Sequence, residues 1–80
     1  MKTNTVEPKF EINIANLSRP TPKIAVTQSM NTLLSGDILK VSACSNEIAR
    51  MLIVFCQQAG YSLLLKLKIN NLNTLFIRKN

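Results

Sequence analysis

The sequence contains no histidine, only two cysteines and only four acidic residues. Without histidine, Cys44 and Cys56 cannot supply the usual zinc-ligand spacings, and they fall in different predicted elements. No two carboxylates fall within one predicted site, and no glycine-rich stretch is present to hold a phosphate. The sequence therefore gives little support to an enzyme, and it predicts neither a metal nor a cofactor.

Long hydrophobic runs are also missing. Apolar residues make up 46% of the chain, but they occur in short periodic runs that cannot cross a bilayer. Residues 1–8 show neither the apolar core of a secretory signal nor an arginine-rich transit pattern. We therefore expect a single cytoplasmic domain over residues 9–80, without membrane contact, preceded by a flexible segment over residues 1–8.

Positive charge dominates the composition. Ten lysines and arginines give a formal net charge of +6, which surrounds so small a domain with a positive field. Such a field favours acidic partners, whether protein or RNA. Because the basic residues are scattered along the chain, an ordinary solvated surface and a functional basic patch both remain open.

The first half of the chain predicts a strand followed by a helix. Apolar residues alternate over residues 9–15, which is typical of a half-buried strand with Phe10, Ile12 and Ile14 inward. Thr21 and Pro22 are predicted to cap and open a helix that ends at Gly36. The predicted apolar face of this helix consists of Ile24, Val26, Met30, Leu33 and Leu34.

The second half predicts a further strand, a helix and a hairpin. Residues 37–43 form the strand, with Leu39, Val41 and Ala43 inward, and Ser45 or Asn46 caps a helix that ends at Gly60. Residues 61–69 and 74–79 form two strands joined by a turn at residues 70–73. The apolar surface of the second helix is widened by Met51, Ile53 and Val54. This excess is either a wide core face or a surface for a partner.

This order predicts an α+β fold, a two-layer sandwich with the order βαβαββ. The two strand–helix–strand units require parallel pairing through right-handed crossovers, whereas the last two strands form an antiparallel hairpin. We therefore expect a four-stranded mixed sheet with both helices on one face.

One motif carries a resemblance to a known family. The segment Leu17-Ser18-Arg19-Pro20-Thr21-Pro22 lies between the first predicted strand and the first helix. Its position and the element order resemble the TusA/SirA family of sulfur carriers, whose motif is Leu-x-Cys-Pro-x-Pro. The resemblance extends from about Phe10 to Lys79, and it identifies Leu17, Arg19, Pro20, Thr21 and Pro22 as the motif loop and helix start.

The sequence departs from the family at the position that carries the chemistry. The acceptor cysteine of the carriers is replaced by Arg19, which has no sulfur and cannot be deprotonated. The resemblance therefore implies a non-enzymatic homologue without direct persulfide carriage, which acts through protein contacts in or near sulfur relay or its regulation. Arg19 and Arg50 are candidate contacts for an anion, although an Arg19 that extends into water is the alternative.

Two other functions remain open at this point. Cys44 follows the second predicted strand, near the motif loop, and could serve as a relocated thiol or as a small inert residue. The element order is also similar to that of the C-terminal domain of translation initiation factor 3, which suggests an RNA-binding module. Against RNA binding, most of the four aromatic residues fall at predicted core positions.

Overall fold

A computed structural model describes residues 7–16 and 21–80 of the protein. Its strands and helices run in the order β1 (Phe10–Asn13), a short 3-10 helix (Ile14–Asn16), α1 (Pro22–Asn31), β2 (Ile38–Cys44), α2 (Asn46–Ala59), β3 (Ser62–Ile69) and β4 (Leu72–Arg78). The predicted α+β architecture is confirmed, with a four-stranded mixed sheet and two helices in two layers. Of the segment 1–8 that we predicted to be flexible, all but Glu7 and Pro8 lies outside the described residues.

The strands lie in the order β1-β2-β4-β3. β1 pairs with β2 in parallel, as a strand–helix–strand unit requires, and β4 pairs with both β2 and β3 in antiparallel fashion. β2 and β3 are therefore parallel to each other, with β4 between them. β1 and β3 form the two edges of the sheet.

The core lies between the helices and one face of the sheet. Leu39 and Val41 of β2 are paired with Ile77 and Leu75 of β4, and all four side chains are fully buried. The remaining buried apolar residues of this cluster are Ile12, Ile14, Ala25, Val26, Met30, Leu33, Cys44, Ala49, Leu52 and Cys56. Each large side chain buried here contributes about 1.5–3 kcal/mol.

The start of α1 agrees with the prediction, but its end does not. Thr21 is the extended N-cap residue and Pro22 is the first helical residue, where a missing backbone N–H costs nothing. The helix ends at Asn31 instead of Gly36. In place of the next helical bond, the Leu34 amide donates to the carboxylate of Asp37 at 2.9 Å. The Lys79 ammonium group donates to the carbonyl oxygens of Met30 at 2.8 Å and Leu33 at 2.7 Å, which satisfies acceptors at this end of the helix.

The early end of α1 changes its buried face. Leu34 no longer follows the helical spacing, and 76% of its side chain is exposed. Ile24 is also largely exposed, whereas Ala25 and Ser29 are buried. The predicted face was therefore wrong at Ile24 and Leu34.

Within the described residues, neither helix has the length and hydrophobicity to span a membrane.

Both parallel strands end differently from the prediction. β1 stops at Asn13, whose side-chain oxygen accepts a hydrogen bond from the Ala15 amide at 2.9 Å, and Phe10 is half exposed instead of buried. In β2, the pairing with β4 shifts between Val41 and Cys44, and Ala43 has a φ of 63°. This irregularity places Cys44 in the core at the position that we predicted for Ala43.

The hairpin turn is shorter than predicted. Only Asn70 and Asn71 form it, with φ values of 52° and 67°, which are typical of a two-residue turn between antiparallel strands. β4 therefore begins at Leu72, and Asn73 lies in the strand, fully buried, instead of in the turn. Asparagine tolerates the left-handed region better than most residues, which accounts for the choice of residue at both turn positions.

Candidate functional site

The described part of the sulfur-carrier-like motif is the beginning of α1. Leu17, Arg19 and Pro20 lie outside the described residues. The Thr21 side chain makes no capping hydrogen bond, but its carbonyl oxygen accepts one from the Ala25 amide at 2.9 Å. Helix α1 therefore starts at the motif position that the family resemblance implies.

A groove of about 400 Å³ lies between the first turn of α1 and the outer side of α2. Lys23, the residue after Pro22, contributes the α1 side. The α2 side consists of Glu47, Arg50, Met51, Val54, Phe55 and Gln58. We call these seven residues the helix groove. It adjoins the described end of the motif, so a partner bound at the motif would also contact the groove.

The floor of the helix groove is apolar and held in place by aromatic packing. Phe55 packs against the core and meets the ring of Tyr61 edge to face, with 6.4 Å between the ring centroids. The Lys23 ammonium group lies 5.7 Å from the Phe55 centroid, within the range of a cation–π interaction. This contact joins the start of α1 to the middle of α2.

Met51 and Val54 project from α2 into the groove. They are 39% and 47% exposed, whereas Ile53 packs against the core. Of the two alternatives for this apolar excess, the wide core face is therefore wrong for Met51 and Val54 and right for Ile53. Two exposed apolar side chains on one helix face form a small patch that a partner could cover.

Charged groups surround this apolar floor. Lys23 and Arg50 are exposed cations, and Glu47 in the first turn of α2 is the single carboxylate among the lining residues. The structure therefore places one predicted anion contact, Arg50, beside apolar side chains, whereas the other, Arg19, lies outside the described residues. A chain segment with apolar and acidic side chains would match this pattern of charges.

Cys44 is the last residue of β2 instead of following the strand, and it does not have the exposure of a working thiol. The ends of β1 and β2 adjoin, since Asn13 is paired with Ser42, and Cys44 follows two residues later. Its side chain, however, is fully buried, with the sulfur 3.9 Å from the carbonyl oxygens of Val41 and Ser42. Burial raises its pKa from 9.0 to about 11, which disfavours the nucleophilic thiolate.

Cys56 is buried in the middle of α2, as predicted, and burial raises its pKa to about 11 as well. The folded protein therefore holds both thiol protons between pH 9 and pH 11, while the unfolded chain releases them. The free energy of unfolding consequently falls as the pH rises through that window.

Within the described residues, no three metal-binding side chains lie together.

We expect both thiols to resist alkylation in the folded protein. At pH 8, iodoacetamide should modify Cys44 and Cys56 at least about a hundredfold more slowly than in 6 M urea, because each sulfur reacts only when the chain opens. Mass spectrometry of peptides after timed quenching measures each rate separately. A Cys44 that reacts in the folded protein as fast as in urea would contradict its burial and revive the relocated-thiol alternative.

The aromatic residues give no support to an RNA-binding surface. Phe76 is buried, and both Phe55 and Tyr61 pack against the core. Among the described residues, Phe10 is the one aromatic side chain that is more than half exposed. Single-stranded nucleic acids are usually bound by several exposed rings on one surface, and the described residues offer no such set.

Comparisons with known proteins identify no relative of this chain. No family model, no curated protein and no solved structure matches the chain. The resemblance to the TusA/SirA family consequently rests on the motif at residues 17–22 together with the order of the elements in the sequence.

Proposed function

We propose that this chain is a non-enzymatic, TusA/SirA-like protein that binds another protein of a sulfur relay, or of its regulation, without itself carrying a persulfide. The motif position that holds the acceptor thiol in the carriers is Arg19 in this sequence. Both cysteines of the chain are buried and have raised pKa values. These observations favour a partner-binding role over sulfur transfer.

The observation that carries the proposal is the helix groove. Its exposed apolar residues, Met51 and Val54, lie between two cations at the start of α1 and on α2. Interfaces between proteins commonly combine an apolar centre with a charged rim. The groove also includes Lys23, which directly follows the motif in the sequence, so it suits the same kind of partner.

A binding experiment with a purified cysteine desulfurase tests this function. We expect the wild-type chain to bind the enzyme saturably in a fluorescence anisotropy titration. The double variant Met51→Glu/Val54→Glu should bind at least about tenfold more weakly, because it places two carboxylates on the apolar floor. Leu34→Glu is the matched control, since it introduces a carboxylate at an exposed leucine outside the groove, and it should bind like the wild type.

The same mixture supplied with labelled cysteine separates binding from sulfur transfer. We expect no persulfide on the wild-type chain, and a persulfide on residue 19 of the variant Arg19→Cys, which restores the thiol of the family motif. Mass spectrometry locates the label. A label on Cys44 of the wild-type chain would overturn the proposed absence of carriage, and equal binding by all variants would remove the helix groove from the interface.

A further inference from the structure

The third strand is the most exposed apolar element of the described chain. β3 forms one edge of the sheet and is eight residues long. Its five large apolar side chains are between 37% and 54% exposed; they are Leu63, Leu64, Leu65, Leu67 and Ile69. The strand contains no proline and no acidic residue; its charged residues are Lys66 and Lys68, and its pairing with β4 shifts between Leu63 and Leu65. Lysines and irregular pairing are features that edge strands use against pairing with another copy, so a partner has to compensate the two positive charges.

The two faces of β3 differ in chemistry. Leu65 and Leu67 are paired with Phe76 and Thr74, which places them on the face of the sheet opposite the helices. We call this the open face. Lys66 and Lys68 alternate with these leucines and point to the other side. A strand added beside β3 would therefore meet leucines on one face and two lysines on the other.

The middle of the open face is covered by the chain itself. The Lys40 ammonium group lies 5.9 Å from the ring centroid of Phe76 and 3.7 Å from a carboxylate oxygen of Glu11. Phe76 and Thr74 are buried beneath such neighbours. Leu72 at the start of β4 is 39% exposed and is paired with Ile69, so the uncovered apolar surface of the open face lies along β3 and at this end of the hairpin.

The charges of Lys66 and Lys68 indicate which kind of chain can pair with β3. A second copy of the chain, paired through its own β3 with Leu67 opposite Leu67, would place Lys66 and Lys68 against the same two lysines, which is unfavourable. The other edge strand, β1, offers only Glu11, which is already paired with Lys40. We infer that β3 accepts an extended segment of another protein in which apolar and acidic residues alternate, and that this segment extends the sheet.

This interaction follows a common mode of peptide recognition. Backbone hydrogen bonds along β3 hold the added strand, and its alternate side chains supply the specificity. The apolar side chains of the segment cover Leu65, Leu67 and Ile69, and its carboxylates lie beside Lys66 and Lys68. The net charge of +6 attracts such a segment from a distance. The inference does not depend on the helix groove, which is a separate surface.

A synthetic peptide tests the inference directly. The probe is an acetylated and amidated peptide of eight residues in which valine and glutamate alternate. We expect saturable binding below 1 mM peptide, with hydrogen-exchange protection of backbone amides between Leu63 and Ile69 measured by NMR. The variant Lys66→Glu/Lys68→Glu should weaken binding about tenfold, because it places like charges beside the peptide.

The controls separate this edge from a general charge effect. Lys2→Glu/Lys9→Glu changes the net charge by the same amount before β1, and it should bind the peptide within about twofold of the wild type. A peptide that alternates valine and lysine should bind at least about tenfold more weakly. Circular dichroism verifies that each variant is folded.

Several outcomes would overturn the inference. Absence of binding at 1 mM, equal binding of the basic peptide, or protection outside β3 each contradicts it. So does a dimer formed through β3, detected by sedimentation, or binding to vesicles with anionic lipids in place of the peptide. Binding to the desulfurase does not enter this test, so the two proposals fail independently.

Discussion

Replacing Leu52 by alanine should remove about 2–5 kcal/mol from the free energy of unfolding. Leu52 is fully buried in α2, within the cluster that joins the helices to the sheet. The substitution loses the transfer free energy of the deleted atoms and leaves a cavity that the surrounding side chains fill only partly. A domain of 80 residues has a total stability of roughly 4–12 kcal/mol, so this variant should lose a large part of it.

Urea denaturation followed by circular dichroism measures this effect. Leu34→Ala is the matched control, because it makes the same substitution at a leucine that is 76% exposed, and it should change the stability by less than about 0.5 kcal/mol. Similar losses in the two variants would show that the core does not lie where the structure places it. An unchanged slope with urea would verify that Leu52→Ala alters stability and not the compactness of the unfolded chain.

The order of elements could be predicted because local signals agree with the fold. Ser45 caps α2 by accepting a hydrogen bond from the Ile48 amide at 3.2 Å, and Gly60 ends the same helix with a φ of 85°. The proline at the start of α1 and the asparagines in the hairpin turn act through their own backbone preferences. Each of these signals acts on the backbone within a few residues of itself. It can therefore be recognised from the local sequence alone.

The errors arise where distant residues decide the outcome. Carbonyl groups of Met30 and Leu33, at and just after the end of α1, are satisfied by Lys79, almost fifty residues away. The irregularity at Ala43 depends on the pairing of β2 with β4. It directs the side chain of Cys44 towards the core. Periodicity within a short window assigns faces correctly only while the element remains regular.

The helix groove and the β3 edge differ in how far the sequence alone predicts them. The excess of apolar residues on α2 was evident, but a buried and an exposed apolar residue have the same hydrophobicity, so Met51 and Val54 could not be assigned to the groove. For β3, the exposure follows from its place at the sheet edge. That place is set by the insertion of β4 between β2 and β3, which no signal within residues 62–69 specifies.

A buried asparagine provides the other large expected effect. Asn73 donates from its side-chain nitrogen to the carbonyl oxygen of Cys44 at 3.2 Å and to the side-chain oxygen of Asn46 at 2.9 Å. It thereby joins β4 to the irregular end of β2 and to the first residue of α2. Both partners are acceptors, so this position requires a donor.

The variant Asn73→Asp has nearly the same shape but loses the donor. At pH 7 it places a carboxylate against two acceptor oxygens in a site that is 1% exposed, and we expect a loss of about 3–5 kcal/mol. The site raises the pKa of the new carboxyl in the folded state, so the penalty is largest above that pKa. As the pH falls, the protonated carboxyl donates again and the difference from the wild type shrinks.

Urea denaturation at pH 7 and pH 4 measures both parts of this prediction. Asn71→Asp is the matched control, since Asn71 lies exposed in the hairpin turn and aspartate also tolerates its φ of 67°. It should change the stability by less than about 0.5 kcal/mol at either pH. A loss for Asn73→Asp that is equally large at both pH values would contradict the part of the effect that we assign to the buried charge. A loss below 1 kcal/mol at pH 7 would mean that Asn73 does not hold β2, β4 and α2 together.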